Sequence, residues 1–305
     1  MSAASLTLLI SLAGCGSNGT TATTATTDGP GASACPGGAV DVVVSVDQWG
    51  DIVSELGGDC ATVTTLLASS SVDPHDYEPS PSDAAAFRDA QLVVVNGADY
   101  DHWASDLAAA SAPTAAVVDA ATVTGTPDGA NPHLWYKPSA VTAVADAVSA
   151  ELARLNPEAA DYFTQRRSAF GTALQPFDTL IDRIKAEASG KTYVATESVF
   201  DYQAEALGLV DKTPPGYRRA AANEADPSPA DIRAFQAELE SGEVSVMIFN
   251  TQTEGSVSEQ LRAAAEAAGV PIVAVTETVP PGQDSFVGWQ DEQLTDLAKA
   301  LGVTP

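Results

Sequence analysis

Short apolar runs rich in β-branched residues alternate with helical patterns, and this alternation limits the fold more than any other feature of the chain. Runs at 40–46 (VDVVVSV), 62–68, 91–95 and 115–118 read as strands. Residues 49–56, closed by Gly57-Gly58, and residues 80–90 read as helices. The pattern resumes after residue 190, with strands at 192–195, 244–249 and 271–275 and helices at 258–268 and 291–301. Strands separated by helices imply βαβ units and a parallel sheet.

Between the two alternating stretches, residues 138–190 hold helix formers with one internal break, at Asn156-Pro157. Pro157 suits the first position of a new helix and Asn156 its cap. A helix from there to residue 188 would be roughly 45 Å long, more than one small domain is wide. The predicted fold is therefore α/β: two lobes, each with a central, mostly parallel sheet flanked by helices, joined by one long backbone helix. The boundaries are a signal-peptide remnant at 1–15, a flexible tether at 16–36, lobes at 37–155 and 190–305, and the interlobe helix at 156–189. An internal echo supports two related lobes. EPSPSDAAAF (78–87) aligns with DPSPADIRAF (226–235), each with Ser at the cap, Pro next and Asp two further on. Each echoed helix leads to a strand ending in Asn, Asn96 or Asn250.

The N-terminus reads as an address. A short apolar run, LTLLISL (6–12), is too short to cross a bilayer and leads into Leu-Ala-Gly-Cys at 12–15. That sequence is similar to the bacterial lipobox, which implies a lipid on Cys15. The small polar stretch 16–34 cannot bury a core and follows as a tether. With Cys15 lipidated, Cys35 and Cys60 remain as an even pair, expected to be oxidised outside the cytoplasm. A metal-binding pair is the poorer alternative, because the chain has no further thiol.

The chain carries 41 Asp plus Glu against 14 Lys plus Arg, a net charge of −27, which repels nucleic acid and anionic membranes and attracts cations. Two of its 3 histidines sit in a shared frame, DPHDYEPSP (73–81) and NPHLWYKPS (131–139). In each, proline stiffens the turn before the imidazole. In open parallel sheets, ligands bind beyond the carboxyl ends of the strands. His75 follows the strand at 62–68 and His133 the loop after 115–118, while Glu197 follows 192–195 and Glu277 follows 271–275. If the lobes face each other the four converge, and two imidazoles with two carboxylates make a divalent metal site. Asp284 rivals Glu277 as the fourth ligand, and Asp73 and Asp76 flank His75 as turn or supporting groups. His102 lacks the proline frame and reads as a surface residue. No P-loop and no GxSxG motif occurs.

Taken together, DPHDYEPSPSDAAAFRDAQLVVVNGADYDHW, NPHLWYKP and EADPSPADIRAF resemble the metal-binding lipoproteins of bacterial ABC importers for manganese, zinc and iron, in the cluster with a rigid interlobe helix. The resemblance implies a buried interlobe metal, His75 and His133 as ligands, Glu197 as the third and Glu277 as the fourth, where most members carry Asp. It implies an extracytoplasmic, lipid-anchored monomer that hands its cargo to a membrane permease. Two carboxylates, each able to give both oxygens, point to Mn2+ as cargo with Zn2+ the alternative. The irregular stretch 211–229 is expected to be a loop that shifts as metal enters. Two other readings use the same residues: a metallohydrolase, and a surface adhesin with a structural metal.

Overall fold

The computed structural model describes residues 35–68, 77–223, 225–253, 255–283 and 285–305. Cys15, Asp73, His75, Asp76 and Asp284, with most of the expected tether, lie outside the described residues.

The first lobe runs β1 (Val40–Val46), α1 (Asp47–Gly57), β2 (Ala61–Leu67), α2 (Pro81–Ala86), β3 (Leu92–Val95), α3 (His102–Ser111), β4 (Ala116–Asp119) and α4 (Ala120–Thr124). Then come α5 (Pro138–Leu155), α6 (Ala160–Ala173) and α7 (Gln175–Ala188). The second lobe runs β5 (Thr192–Ala195), α8 (Asp201–Leu207), β6 (Val210–Asp211), α9 (Pro215–Ala221), α10 (Pro229–Glu240), β7 (Val246–Asn250), α11 (Ser256–Ala268), β8 (Ile272–Val275) and α12 (Phe286–Ala300).

The two sheets share one topology. Their strand orders are β2-β1-β3-β4 and β6-β5-β7-β8, and every pairing is parallel. Helices cover both faces, so the central strands are buried: all four residues of β3, and all five of β7 up to the polar Asn250 at its end. The echoed segments occupy matching places, α2 before β3 and α10 before β7. Both start with the reciprocal Ser–Asp capping box, and the matched Phe87 and Phe235 are both fully buried. The sequence pattern missed α3, an alanine-rich helix with a weak apolar face, and the two-residue edge strand β6.

The expected single helix over 156–188 is instead a 3-10 turn at Pro157–Ala159, then α6 and α7 end to end. The junction is Leu174, whose backbone stays in the right-handed helical region. Pro176 has no N–H to offer the Thr172 carbonyl, so the hydrogen-bond ladder skips one bond there. Asn156 does not cap the turn with its side chain. Its amide instead donates to the carbonyls of Pro36 and Gly38, at 2.7 and 2.8 Å, and pins the start of the described chain to the end of α5. The Cys35–Cys60 disulfide, with a Cα separation of 5.0 Å, fastens the same segment to the entry of β2. The expected loop at 211–229 contains α9, begun by Pro215 at its first position.

One hydrophobic core runs through both lobes, from Val42 and Trp49 to Leu297 and Val303. At its centre the Tyr136 ring packs edge-on against Phe200 and Trp289, with centroids 5.6 and 5.9 Å apart. Among the described residues no helix is long and apolar enough to cross a membrane.

Candidate metal centre

Both candidate glutamates stand where a parallel strand has just ended. Glu197 is two residues beyond β5 and Glu277 two beyond β8. His133 closes the loop after α4 and opens a 3-10 turn, Leu134–Tyr136, whose three side chains are fully or almost fully buried and anchor it. Gly97, at φ +73°, turns the chain after β3, and a Cβ there would stand 2.5 Å from Asp119 Oδ1. This turn brings Tyr100 into the same space.

The tautomer of His133 follows from its neighbour. The Asn131 amide nitrogen donates to the Ser198 carbonyl at 2.7 Å, so its oxygen is the atom that faces His133. That oxygen accepts from the His133 backbone N–H at 3.0 Å and lies 2.7 Å from Nδ1. Nδ1 therefore carries a hydrogen, which leaves Nε2 as the ring nitrogen that faces Glu277. Nε2 lies 3.7 Å from Glu277 Oε2. The imidazole is 3% exposed and packs against Trp135 and Tyr100, with centroids 5.3 and 6.0 Å away.

Glu277 is fully buried. Its Oε2 accepts from the Tyr100 hydroxyl at 3.1 Å and its Oε1 from the Asn250 amide at 2.9 Å. The same Asn250 nitrogen donates to Glu197 Oε2 at 2.7 Å, so one amide bridges both carboxylates. The main chain at Glu277 is held from both lobes: Gln48 donates to its carbonyl, and Gln252 Oε1 accepts the N–H groups of Glu277 and Thr278. Burial, and then the Glu277 charge, push the Glu197 carboxyl above the usual carboxylate range, against hydrogen bonds from Asn250 and Thr253 and the attraction of His133. Burial and the same charge raise the Tyr100 phenol well above its ordinary value. Two carboxylates so placed favour a positive charge between the lobes.

His133 and Glu277 thus meet directly across the lobes, and Glu197 is joined to Glu277 through Asn250. Among the described residues no three His, Cys, Asp or Glu side chains are gathered tightly enough to hold an ion by themselves. His75 and Asp284 fall outside that set. His102 is exposed at the start of α3. Asn131, Tyr100 and Asn250 escaped the sequence reading. Asn250 was within reach of the rule that selected Glu197 and Glu277, since it is the last residue of β7.

Comparison with known proteins gives this geometry a lineage. The family model described as zinc-uptake complex component A, periplasmic, matches residues 42–300. The manganese-binding lipoprotein MntA of Halalkalibacterium halodurans is 27% identical over 179 residues, 57% of this chain and 59% of that protein. The high-affinity zinc uptake system protein ZnuA of Bacillus subtilis is 24% identical over 215 residues, 64% of this chain and 66% of that protein. The chain thus spans a little under two thirds of the length of these curated relatives. Among solved structures, the periplasmic zinc binding protein TroA from Treponema pallidum superposes with a TM-score of 0.73 at 21% identity, covering 87% of this chain and 99% of that one, and so shares the fold. With two like-ordered parallel sheets, a His–Glu meeting between them and a family match over residues 42–300, the chain belongs to the family of the periplasmic zinc-uptake complex component A.

Proposed function

We propose that this chain is the extracytoplasmic solute-binding component of an ABC importer. It captures one divalent transition metal ion between its lobes and delivers it to a membrane permease. One observation carries the reading: Nε2 of His133, from the first lobe, stands 3.7 Å from the buried Glu277 carboxylate of the second. The ligand set is His75, His133, Glu197 and Glu277, with Asp284 the rival for the fourth place. A receptor of this kind surrounds its cargo with protein groups and needs no catalytic residue. Relatives named for manganese, zinc and iron binding support a cargo of that class. Two glutamates beside two imidazoles favour manganese if each gives both oxygens, and zinc if each gives one. Lipid on Cys15 would hold the monomer at the outer face of the cell membrane.

The test is a metal-competition titration on chelator-stripped protein, with His75→Ala, His133→Ala, Glu197→Ala and Glu277→Ala alongside. Each substitution is expected to weaken binding. Full-strength binding by Glu277→Ala would promote Asp284, and unchanged binding after both histidine substitutions would sink the proposal.

The metallohydrolase reading has one observation in its favour. A cavity of about 740 Å³, far larger than an ion, opens beside His133 and Glu197. An enzyme would keep a metal-bound water facing that space. Hydrolysis of ester or amide substrates by zinc-loaded protein, lost in His133→Ala, would decide for it.

A further inference from the structure

Asn250 does more than fill the floor of the site. Its side chain is 1% exposed and its orientation is fixed: the amide oxygen accepts the Gln252 N–H at 3.1 Å, so the nitrogen must face the carboxylates. The Asn250 backbone N–H in turn donates to Thr196 Oγ1 at 3.0 Å, tying the strand end to the residue before Glu197. The two amide hydrogens then go one to each glutamate, at Glu197 Oε2 and Glu277 Oε1. An ion drawing on both oxygens of both glutamates would compete with this donor at two places.

The other Glu277 oxygen, Oε2, accepts from the Tyr100 hydroxyl at 3.1 Å and lies 3.7 Å from His133 Nε2.

We propose that Asn250 is the specificity-determining residue of the site. By hydrogen-bonding one oxygen of each glutamate it holds both to one-oxygen coordination, and so selects a four-coordinate ion over a six-coordinate one. The proposal rests on the reading above that Glu197 and Glu277 are ligands. In consequence the manganese expected from two-oxygen glutamates is disfavoured relative to zinc for as long as the amide is in place.

The experiment uses the full chain, chelator-stripped, as wild type, Asn250→Leu (similar in volume, no donor) and Asn250→Ser (one hydrogen on a side chain too short to serve both glutamates). Co2+ is the optical probe, and Zn2+ against Mn2+ competition gives the preference. Wild-type protein is expected to give the intense visible bands of four-coordinate cobalt. Both variants are expected to give the weak bands of six-coordinate cobalt, with the zinc-over-manganese ratio reduced about tenfold, the lower end of what outer hydrogen-bond partners contribute. A purely structural role would lower both affinities together and leave the cobalt spectrum unchanged, and that result overturns the proposal. So does a six-coordinate spectrum in the wild type, which needs no variant to fold. Cobalt binding that survives Glu197→Ala and Glu277→Ala undiminished instead removes the glutamates from the site, a failure of the functional reading itself.

Discussion

The hydroxyl of Tyr136, in the first lobe, donates to the carbonyl of Thr276 at 2.7 Å, one residue before Glu277 in the second. The phenol is fully buried, and the bond crosses the middle of the shared core. The same hydroxyl lies 2.8 Å from Gln293 Oε1. Tyr136→Phe keeps the ring and orphans the carbonyl, so stability should fall by about 1–3 kcal/mol in urea unfolding, with the slope unchanged.

Asn131 sets the tautomer of His133 and anchors itself on Ser198 across the cleft. Asn131→Ala should weaken zinc binding by roughly 10- to 100-fold, as loss of an outer partner of a ligating histidine does. Asn131→Asp, which keeps the acceptor for Nδ1, should recover part of that loss. Calorimetric titration of the two variants separates the outcomes.

Metal should stabilise the fold. At a free concentration a thousand times the dissociation constant, a bound ion adds about 4 kcal/mol. Thermal melts with and without zinc should show a large rise in Tm for the wild type. Glu277→Ala should show a much smaller rise, because it removes one of the four proposed ligands.

Without metal, stability should depend on pH in an unusual direction. Burial, with a smaller push from Asp51, raises the Asp47 carboxyl to about 7, although hydrogen bonds from Val279 and nearby backbone oppose it. In the unfolded chain the group ionises near pH 4, as aspartates ordinarily do (about 3.9). The folded state therefore holds this proton more tightly, and the associated stability is full below the ordinary range and lost as pH climbs toward 7. Asp47→Asn should match the wild type at pH 4 and exceed it at pH 8 by about 1–4 kcal/mol. Urea midpoints at the two pH values check this, and equal midpoints at pH 8 would refute it.

The disulfide closes a loop between residues 25 apart in sequence. Reduction, or Cys35→Ser with Cys60→Ser, should lower stability by about 3 kcal/mol. Asn156 still grips the same segment through Pro36 and Gly38, so the protein should remain folded at 25 °C, as a circular dichroism melt would show.

Much of the architecture was readable because it is written in periodicity and punctuation. β1 is the predicted strand to the residue, and the Ser80 and Ser228 capping boxes start the helices they announce. The strand pattern also placed Glu197 and Glu277 just past strand ends, where they stand. What periodicity cannot carry is the partner of a polar side chain. Asn156 fits a cap yet bonds to the chain start, and Asn250 looks like a strand terminator yet bridges two acids. Nor does helix propensity mark the break at Leu174, where Pro176 has no N–H to offer the Thr172 carbonyl while the Leu174 backbone stays helical.

The like order of the two sheets has a mechanical meaning. At the end of the third strand in chain order, each lobe keeps an asparagine: Asn96 donates to the Pro132 carbonyl, just ahead of His133, and Asn250 holds both glutamates. Each lobe thus braces its own side of the cleft. Prising the lobes apart would break the bonds that cross the seam, from Gln48, Tyr100 and Tyr136 to the Glu277 segment and between Asn131 and Ser198, while both halves kept their internal braces. On the proposed function, cargo leaves by unzipping this seam, and the braced halves are ready to close again on the next ion.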